Sequence, residues 1–262
     1  MTPDEALAKR KQLTEDGYCV VENVLPSDLL AELRIETNRL LDSMEHPPHW
    51  KYQGSDIHVN GRDNPSIDRL DKLPAARAAI VAMGLGDFTS RNSFIILSKP
   101  PGGPPLYWHQ DWTQWNDPIS AAPWPQYLFL SYYLVDTAIE NGCFQVIPGS
   151  HLKRIPLHDH LVTAHAQESY FAPESDSALF AEHPEAVDVM VRAGSLVIGE
   201  GRCLHAARGN TSSERRTLLL GWHDRPATVP DWWKGDVPDV IRQRDPEATY
   251  KATRTPGEYL KV

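Results

Sequence analysis

The rhythm of apolar and polar positions changes near residue 93. Before that point the pattern is mostly helical. Thr2-Pro3-Asp4-Glu5 offers an N-cap, a proline in the first turn and a glutamate placed to close a capping box, and Gly17 stops the helix. Tyr18-Cys19-Val20-Val21 reads as a short strand. A second helix opens at Pro26-Ser27-Asp28, with Leu30, Leu33, Thr37, Leu40, Leu41 and Met44 expected on one face. His46 to Asp63 is polar and turn-rich and predicts a loop, and Leu73 to Met83 predicts a third helix. From Ser93 onward short β-prone runs recur between Gly, Pro and Asn: Phe94–Leu97, Leu106–Asp111, Tyr127–Val135, Cys143–Ile147, Val187–Val191, Ser195–Ile198, Cys203–Ala207 and Thr217–Trp222. Val187-Asp188-Val189-Met190-Val191 alternates as a half-buried strand does.

This grammar predicts a mainly-β protein with packed helices. The expected core is a double-stranded β-helix, a cupin-like jelly roll, over about 91–225. A helical part (about 1–90) precedes it and a Pro- and charge-rich tail (226–262) follows it, all in a single domain spanning 1–262. His158–Glu185 reads as a long polar insertion between strands.

Composition narrows the class. Apolar residues make up 41% and charged residues 23% of the 262 positions, values of a globular chain that buries a core without staples. The net charge of −9 disfavours nucleic acid and anionic membrane as partners, since both need a basic footprint. No apolar run is long enough to span a bilayer, and Met1-Thr2-Pro3-Asp4-Glu5 does not open a signal peptide. Cys19, Cys143 and Cys203 are too few and too scattered for a disulfide framework, so a cytoplasmic, reducing location is expected. Nothing in the pattern specifies an oligomer.

Among 11 histidines, His109 stands out. On a strand, residues two apart share a face, so His109 and Asp111 can reach one ion while Gln110 points away. His205, on another predicted strand, is the best third ligand. Two histidines and one carboxylate form the facial triad of non-haem Fe(II) oxygenases, which leaves positions open for a chelating cosubstrate and O₂. Arg215 and Arg216 open the very apolar run Thr217-Leu218-Leu219-Leu220, and the two face opposite ways. A guanidinium entering a buried strand needs a carboxylate partner, which a bound dicarboxylate could supply. Trp112, Trp115 and Trp124 follow the metal motif and form either a substrate wall or a pin for a Pro-rich loop. His151 is read as part of a turn, and His158, His160 and His165 as solvated loop residues.

Four stretches resemble the phytanoyl-CoA dioxygenase family of Fe(II)/2-oxoglutarate-dependent oxygenases. They are Thr14–Val21 with Val24-Leu25-Pro26, Trp108-His109-Gln110-Asp111, Asn141–His151 with its Asn-Gly-Cys and Pro-Gly-Ser-His elements, and Ala193–Ile198 followed by His205 and Arg216. The resemblance implies that His109, Asp111 and His205 bind Fe(II). It further implies that Arg216 (or Arg215, if the register shifts) grips the distal carboxylate of 2-oxoglutarate and that Lys99 lies near this cosubstrate. The chain departs from the family at two positions: Ala207 stands where some members have serine, and Ser131 where a tryptophan is common. Ser131 and Tyr133 share a strand face and are candidate hydroxyl donors to the cosubstrate. The carboxylate of Asp111 fills the position that related halogenases leave empty, which implies hydroxylation or another oxidation of a small-molecule substrate rather than halogenation. Two rival readings stand beside this one, a metal-dependent cupin-like hydrolase or isomerase and a non-catalytic metal- or ligand-binding jelly roll.

Overall fold

A computed structural model of the chain describes residues 1–44, 55–164 and 178–261. Helix α1 (Pro3–Asp16) begins as its sequence dictates: Thr2 accepts from the Glu5 amide and Glu5 answers with its carboxylate to Thr2 N. It ends at Gly17, whose φ of 86° suits a residue without a Cβ. A Cβ there would also meet Cys203 Sγ at 2.5 Å, so this turn packs directly onto the barrel. In α2 (Ser27–Asp42) the buried stripe is Leu29, Leu33, Thr37 and Leu41. Leu30 and Leu40 lie on its flanks, and Met44, expected on the same face, is exposed. Helices α3 (Pro65–Asp71) and α4 (Pro74–Ala82) follow, the former capped by Asn64.

Among the described residues the strands form two antiparallel sheets. The larger runs β1 (Tyr18–Val21), β8 (Leu196–Glu200), β5 (Tyr127–Tyr133), β10 (Arg216–Asp224), β3 (Thr89–Lys99) and β2 (Ser55–Asn60) in spatial order. The smaller runs β4 (Leu106–His109), β9 (His205–Ala207), β6 (Phe144–Val146) and β7 (Val187–Val189). The core of the jelly roll is therefore β3 to β10, with β1 and β2 added at the edges of the larger sheet. Strand β2 lies in the stretch expected to be a loop. Its Ile57 is buried and its backbone pairs with β3 from Ser55↔Ser98 to Asn60↔Ser93, so tertiary pairing overrides the polar composition.

Helices α1–α4 cover the outer face of the larger sheet. Leu13, Leu33, Leu41, Ile80 and Met83 join Ile96, Leu130, Ile198 and Leu219 in one apolar cluster. The opposite faces of β3, β5 and β10 turn towards the smaller sheet and, with it, enclose a cavity of about 400 Å³.

Candidate active site

The cavity is built from alternate residues of paired strands. On β10, Arg216, Leu218, Leu220 and Trp222 point inward, while on β5 the inward residues are Tyr127, Phe129, Ser131 and Tyr133. Cross-strand register puts Leu218 opposite Tyr133, Leu220 opposite Ser131 and Trp222 opposite Phe129.

His109 and His205 face each other across β4 and β9, with ring centroids 4.2 Å apart. Each ring is oriented by its own strand: His109 Nδ1 is 2.9 Å from Tyr107 O, and His205 Nδ1 is 2.9 Å from Cys203 O. A carbonyl only accepts, so each Nδ1 carries the proton and each Nε2 presents its lone pair. Both Nε2 atoms look towards Asp111 Oδ1, at 3.8 and 3.9 Å. Asp111 itself lies just beyond β4. Gly201 O accepts from the Asp111 and Trp112 amides and fixes that bend. Gly201 sits beside a buried ion pair of Glu200 and Arg202 at 2.7 Å, and Arg202 also donates to Ser120 O, Ala122 O and Trp124 O. The ligand-bearing bend and the loop behind it thus share one rigid mount.

The ligating atoms of His109, Asp111 and His205 all lie within 4.8 Å of one another, and all three residues are buried. Two neutral imidazoles and a carboxylate on one face suit a divalent iron with open coordination positions. Phe129 and Phe144 flank the His205 ring at 4.8 and 5.7 Å. Trp222 Nε1 donates to Asp111 Oδ2 at 3.3 Å, holding the second carboxylate oxygen away from the histidines.

Farther along the same cavity lies Arg216, 5% exposed. Its Nε has no hydrogen-bond partner, and among the described residues no carboxylate pairs with it. Burial pushes its pKa down, against a weaker opposing pull from Tyr133 and Cys143. An unpartnered buried guanidinium at the end of a metal-bearing cavity fits the distal carboxylate of 2-oxoglutarate. Arg215 points the other way, partly exposed, 4.0 Å from Asp42.

Ser131 and Tyr133 line the cavity together with Arg216, and so does Ala207. Lys99 does not: it is buried behind Arg216, and its Nζ donates to Pro104 O at 2.6 Å. Gly142, with φ of 87°, closes over the Lys99 stem, where a Cβ would come within 2.7 Å of Cδ. The three tryptophans likewise stay out of the cavity. Trp112, Trp115 and Trp124 pack with Ile119, Leu260 and Trp233 into an apolar cluster that meets the cavity through Tyr127 and Trp222, and Trp112 also lines a smaller pocket sharing Arg91, Thr113 and Tyr127 with the mouth. The tail brings its own apolar residues onto that face. His151 is buried in its turn, with Nε2 at 3.0 Å from Thr14 O. His158, expected in solvent, is buried and lies 3.3 Å from Gln110 Nε2. His160 is exposed, and His165 lies outside the described residues.

Of the cavity residues that the sequence reading did not single out, Trp222 and Arg254 bear most on the chemistry. Trp222 ends an apolar run and looks like ordinary core until its indole is seen on Asp111. Arg254 belongs to the Pro- and charge-rich tail, in which the pattern marks no candidate site residue. Backbone pairing of Thr253 with Thr113 and Gln114 carries it to the cavity mouth.

This fold, with two histidines, a carboxylate and a buried arginine in one cavity, is that of the iron(II)- and 2-oxoglutarate-dependent oxygenases. The chain belongs to the phytanoyl-CoA dioxygenase family, whose model matches residues 13–218. It is 29% identical over 188 residues to a probable α-ketoglutarate-dependent hypophosphite dioxygenase of Stutzerimonas stutzeri, a match covering 71% of this chain and 57% of that relative. It is 26% identical to the ectoine dioxygenase of Nocardia farcinica, over 85% of this chain and 79% of the relative. Its fold is similar to that of SnoN, a non-haem α-ketoglutarate-dependent epimerase from nogalamycin biosynthesis. The TM-score is 0.62 at 21% identity, over 99% of this chain and 98% of SnoN.

Proposed function

We propose that the chain works as a single oxygenase domain that hydroxylates a C–H bond of a small polar molecule. Dioxygen and 2-oxoglutarate are consumed: one oxygen atom enters the substrate as hydroxyl, and the other enters succinate as CO₂ leaves. The observation that carries this reading is the unpartnered Arg216 in the same cavity as the His109, Asp111 and His205 donor set. A hydrolase using the same three ligands leaves that guanidinium without a task.

In this reading His109, Asp111 and His205 hold the iron, which when bound supplies the redox centre for oxidative decarboxylation. Arg216 anchors the far carboxylate of 2-oxoglutarate, with Ser131 and Tyr133 beside it as hydroxyl donors. Lys99 acts from behind, shaping the turn at Gly142 and adding positive potential. Phe129, Phe144 and Leu218 keep water from the reacting face. The carboxylate of Asp111 fills the ligand position that a halide would need, which favours hydroxylation over halogenation. Relatives named for hypophosphite and ectoine support a small polar substrate.

A net charge of −9 speaks against nucleic acid as substrate. Among the described residues no helix is long and apolar enough to cross a membrane. All three cysteines are free buried thiols, which fits the proposed cytoplasmic location.

The test is an anaerobic titration of metal-free protein with Fe(II) and then 2-oxoglutarate, followed by visible charge-transfer absorption. The band should appear in the wild type and weaken in Asp111→Ala and Arg216→Ala. Folded, iron-loaded protein that shows no band refutes the cosubstrate assignment.

A further inference from the structure

The inward residues of β10 set the length of the cavity. Six steps at about 3.3 Å per residue put Trp222 about 20 Å from Arg216. Trp222 holds Asp111, so the metal-binding residues sit towards the Trp222 end and Arg216 lies at the deep end. Beyond Trp222, at the mouth, the lining changes to Tyr127, Thr113, Arg91 and Arg254, while His58 lies level with Leu220 on the edge strand.

The two mouth arginines differ. Arg91 has spent its fork: Nε and Nη2 bind both oxygens of Asp224 at 2.6 and 2.8 Å, and its guanidinium lies 4.7 Å over the Tyr127 ring. Arg254 is half-buried, and among the described residues no carboxylate pairs with it. Its backbone is fixed nonetheless. Thr253 N donates to Thr113 O at 3.0 Å, Thr253 bridges Gln114, and Asn116 donates to Lys251 O at 3.0 Å. The tail thus runs beside the segment that follows Asp111 and delivers one unpaired guanidinium to the rim. In a chain with net charge −9, Arg216 and Arg254 line one cavity without a carboxylate partner among the described residues.

We propose that Arg254 is a substrate-binding residue that selects an anionic substrate, gripping a carboxylate or phosphonate at the mouth while the substrate's apolar body reaches inward to the metal. The inference rests on the proposed oxygenase function and gives its substrate class: a compact molecule with an oxyanion at one end and the target C–H bond at the other. Ile95 and Leu97 pair with Leu220 and Leu218 on the Arg216 side, so the stretch between the metal-binding residues and the mouth is lined by Trp222, Tyr127 and Thr113, whose rings and methyl suit a short aliphatic body. The deep arginine takes the cosubstrate and the outer one takes the substrate, so the two anions approach the metal from opposite ends without competing for one cation.

The test uses the full-length protein, anaerobic, with Fe(II) and 2-oxoglutarate bound. The readout is the shift of the visible band when a candidate enters the site. Matched pairs are added: amino and hydroxy acids of three to six carbons against their primary amides, and alkylphosphonates against their dimethyl esters. The wild type should respond to an acid at concentrations about 10-fold lower than to its neutral partner, the low end for a hydrogen bond to a charged group, as suits a half-buried arginine. Arg254→Gln should lose that preference while keeping the unshifted band, and Arg254→Lys should keep part of it. A response confined to one arm identifies carboxylate or phosphonate as the group. Equal response to acids and neutral partners overturns the proposal, as does a preference that survives in Arg254→Gln or a wild-type band that no anion shifts. Absence of the band itself refutes the oxygenase reading instead, so the two failures are distinguishable.

Discussion

Arg216 and Lys99 occupy paired positions of β10 and β3, two buried cations side by side with no carboxylate between them among the described residues. Burial first, and then the Arg216 charge, drive the Lys99 pKa well below its usual value. A fold keeps such a pair only at a cost, which a bound dianion offsets. Arg216→Met should therefore leave the ligand-free protein at least as stable as the wild type. It should raise the KM for 2-oxoglutarate by about 100-fold. The wild type should gain about 2.7 kcal/mol from 2-oxoglutarate at a hundredfold excess over Kd, and the variant only about 0.4 kcal/mol at that concentration. Thermal melts of metal-loaded protein with and without the keto acid check both statements. A destabilised ligand-free variant would assign Arg216 a structural role.

The Trp222 indole tunes the metal through Asp111. Removing a hydrogen bond to a ligating carboxylate lowers metal affinity by about 10-fold, the low end of such effects for a bond of this length. Trp222→Phe keeps the ring and loses only the donor. Competition with a chromophoric chelator should register the weaker binding while the melting profile stays close to wild type. Unchanged affinity would mean the indole merely packs.

Trp124 is fully buried in the cluster joining the 112–127 segment to the tail. Trp124→Ala should cost about 3–5 kcal/mol in urea unfolding. Under conditions where the variant is folded, substrate preference should not change, because its side chain does not reach the cavity. A changed preference at unchanged stability would restore the substrate-wall reading.

Acid should loosen the joint between α1 and the barrel. Burial pulls the His151 pKa down to about 4, and its Nε2–H donates to Thr14 O. In the unfolded chain the same ring titrates near 6.5. Between these values the unfolded chain binds a proton that the native state refuses, so stability falls as pH falls. The loss from this group between about pH 7.5 and about pH 5 is about 2 kcal/mol. His158, also held near 4 by burial, adds to it in the same direction. Urea midpoints at the two pH values should therefore converge in His151→Gln relative to wild type. An equal acid loss in that variant would exclude His151 as the responsible group.

What the sequence carried was mostly local. The capping box of α1 and the glycine that ends it need only four or five neighbouring residues to be recognised. The pairing of His109 with Asp111 follows from two-residue periodicity, although the strand ends at His109 and a bend completes the geometry. Arg215 and Arg216 could be told to face opposite ways, but which one faces inward depended on the register with β3 and β5. Residues that act across long separations were illegible. β2 is polar and becomes a strand only because β3 offers an edge. The tryptophans cluster in sequence beside the metal motif, yet the tail claims them from the other side. Lys99 is adjacent to Arg216 in the sheet but turned into the wall by the glycine closing over it.

The single backbone bridge between Thr253 and Gln114 brings a residue from outside the family match to the cavity rim. Residues matching the family model end at 218, and Arg254 lies beyond them. Under the proposal above, changes at 250–256 alter the outer cation of the rim while His109, Asp111, His205 and Arg216 stay as they are, and the other rim residues, Arg91, Thr113 and Tyr127, lie inside the family match. Exchanging residues 250–256 between relatives should move substrate choice without retuning the oxidant, a practical route to new hydroxylases from this scaffold.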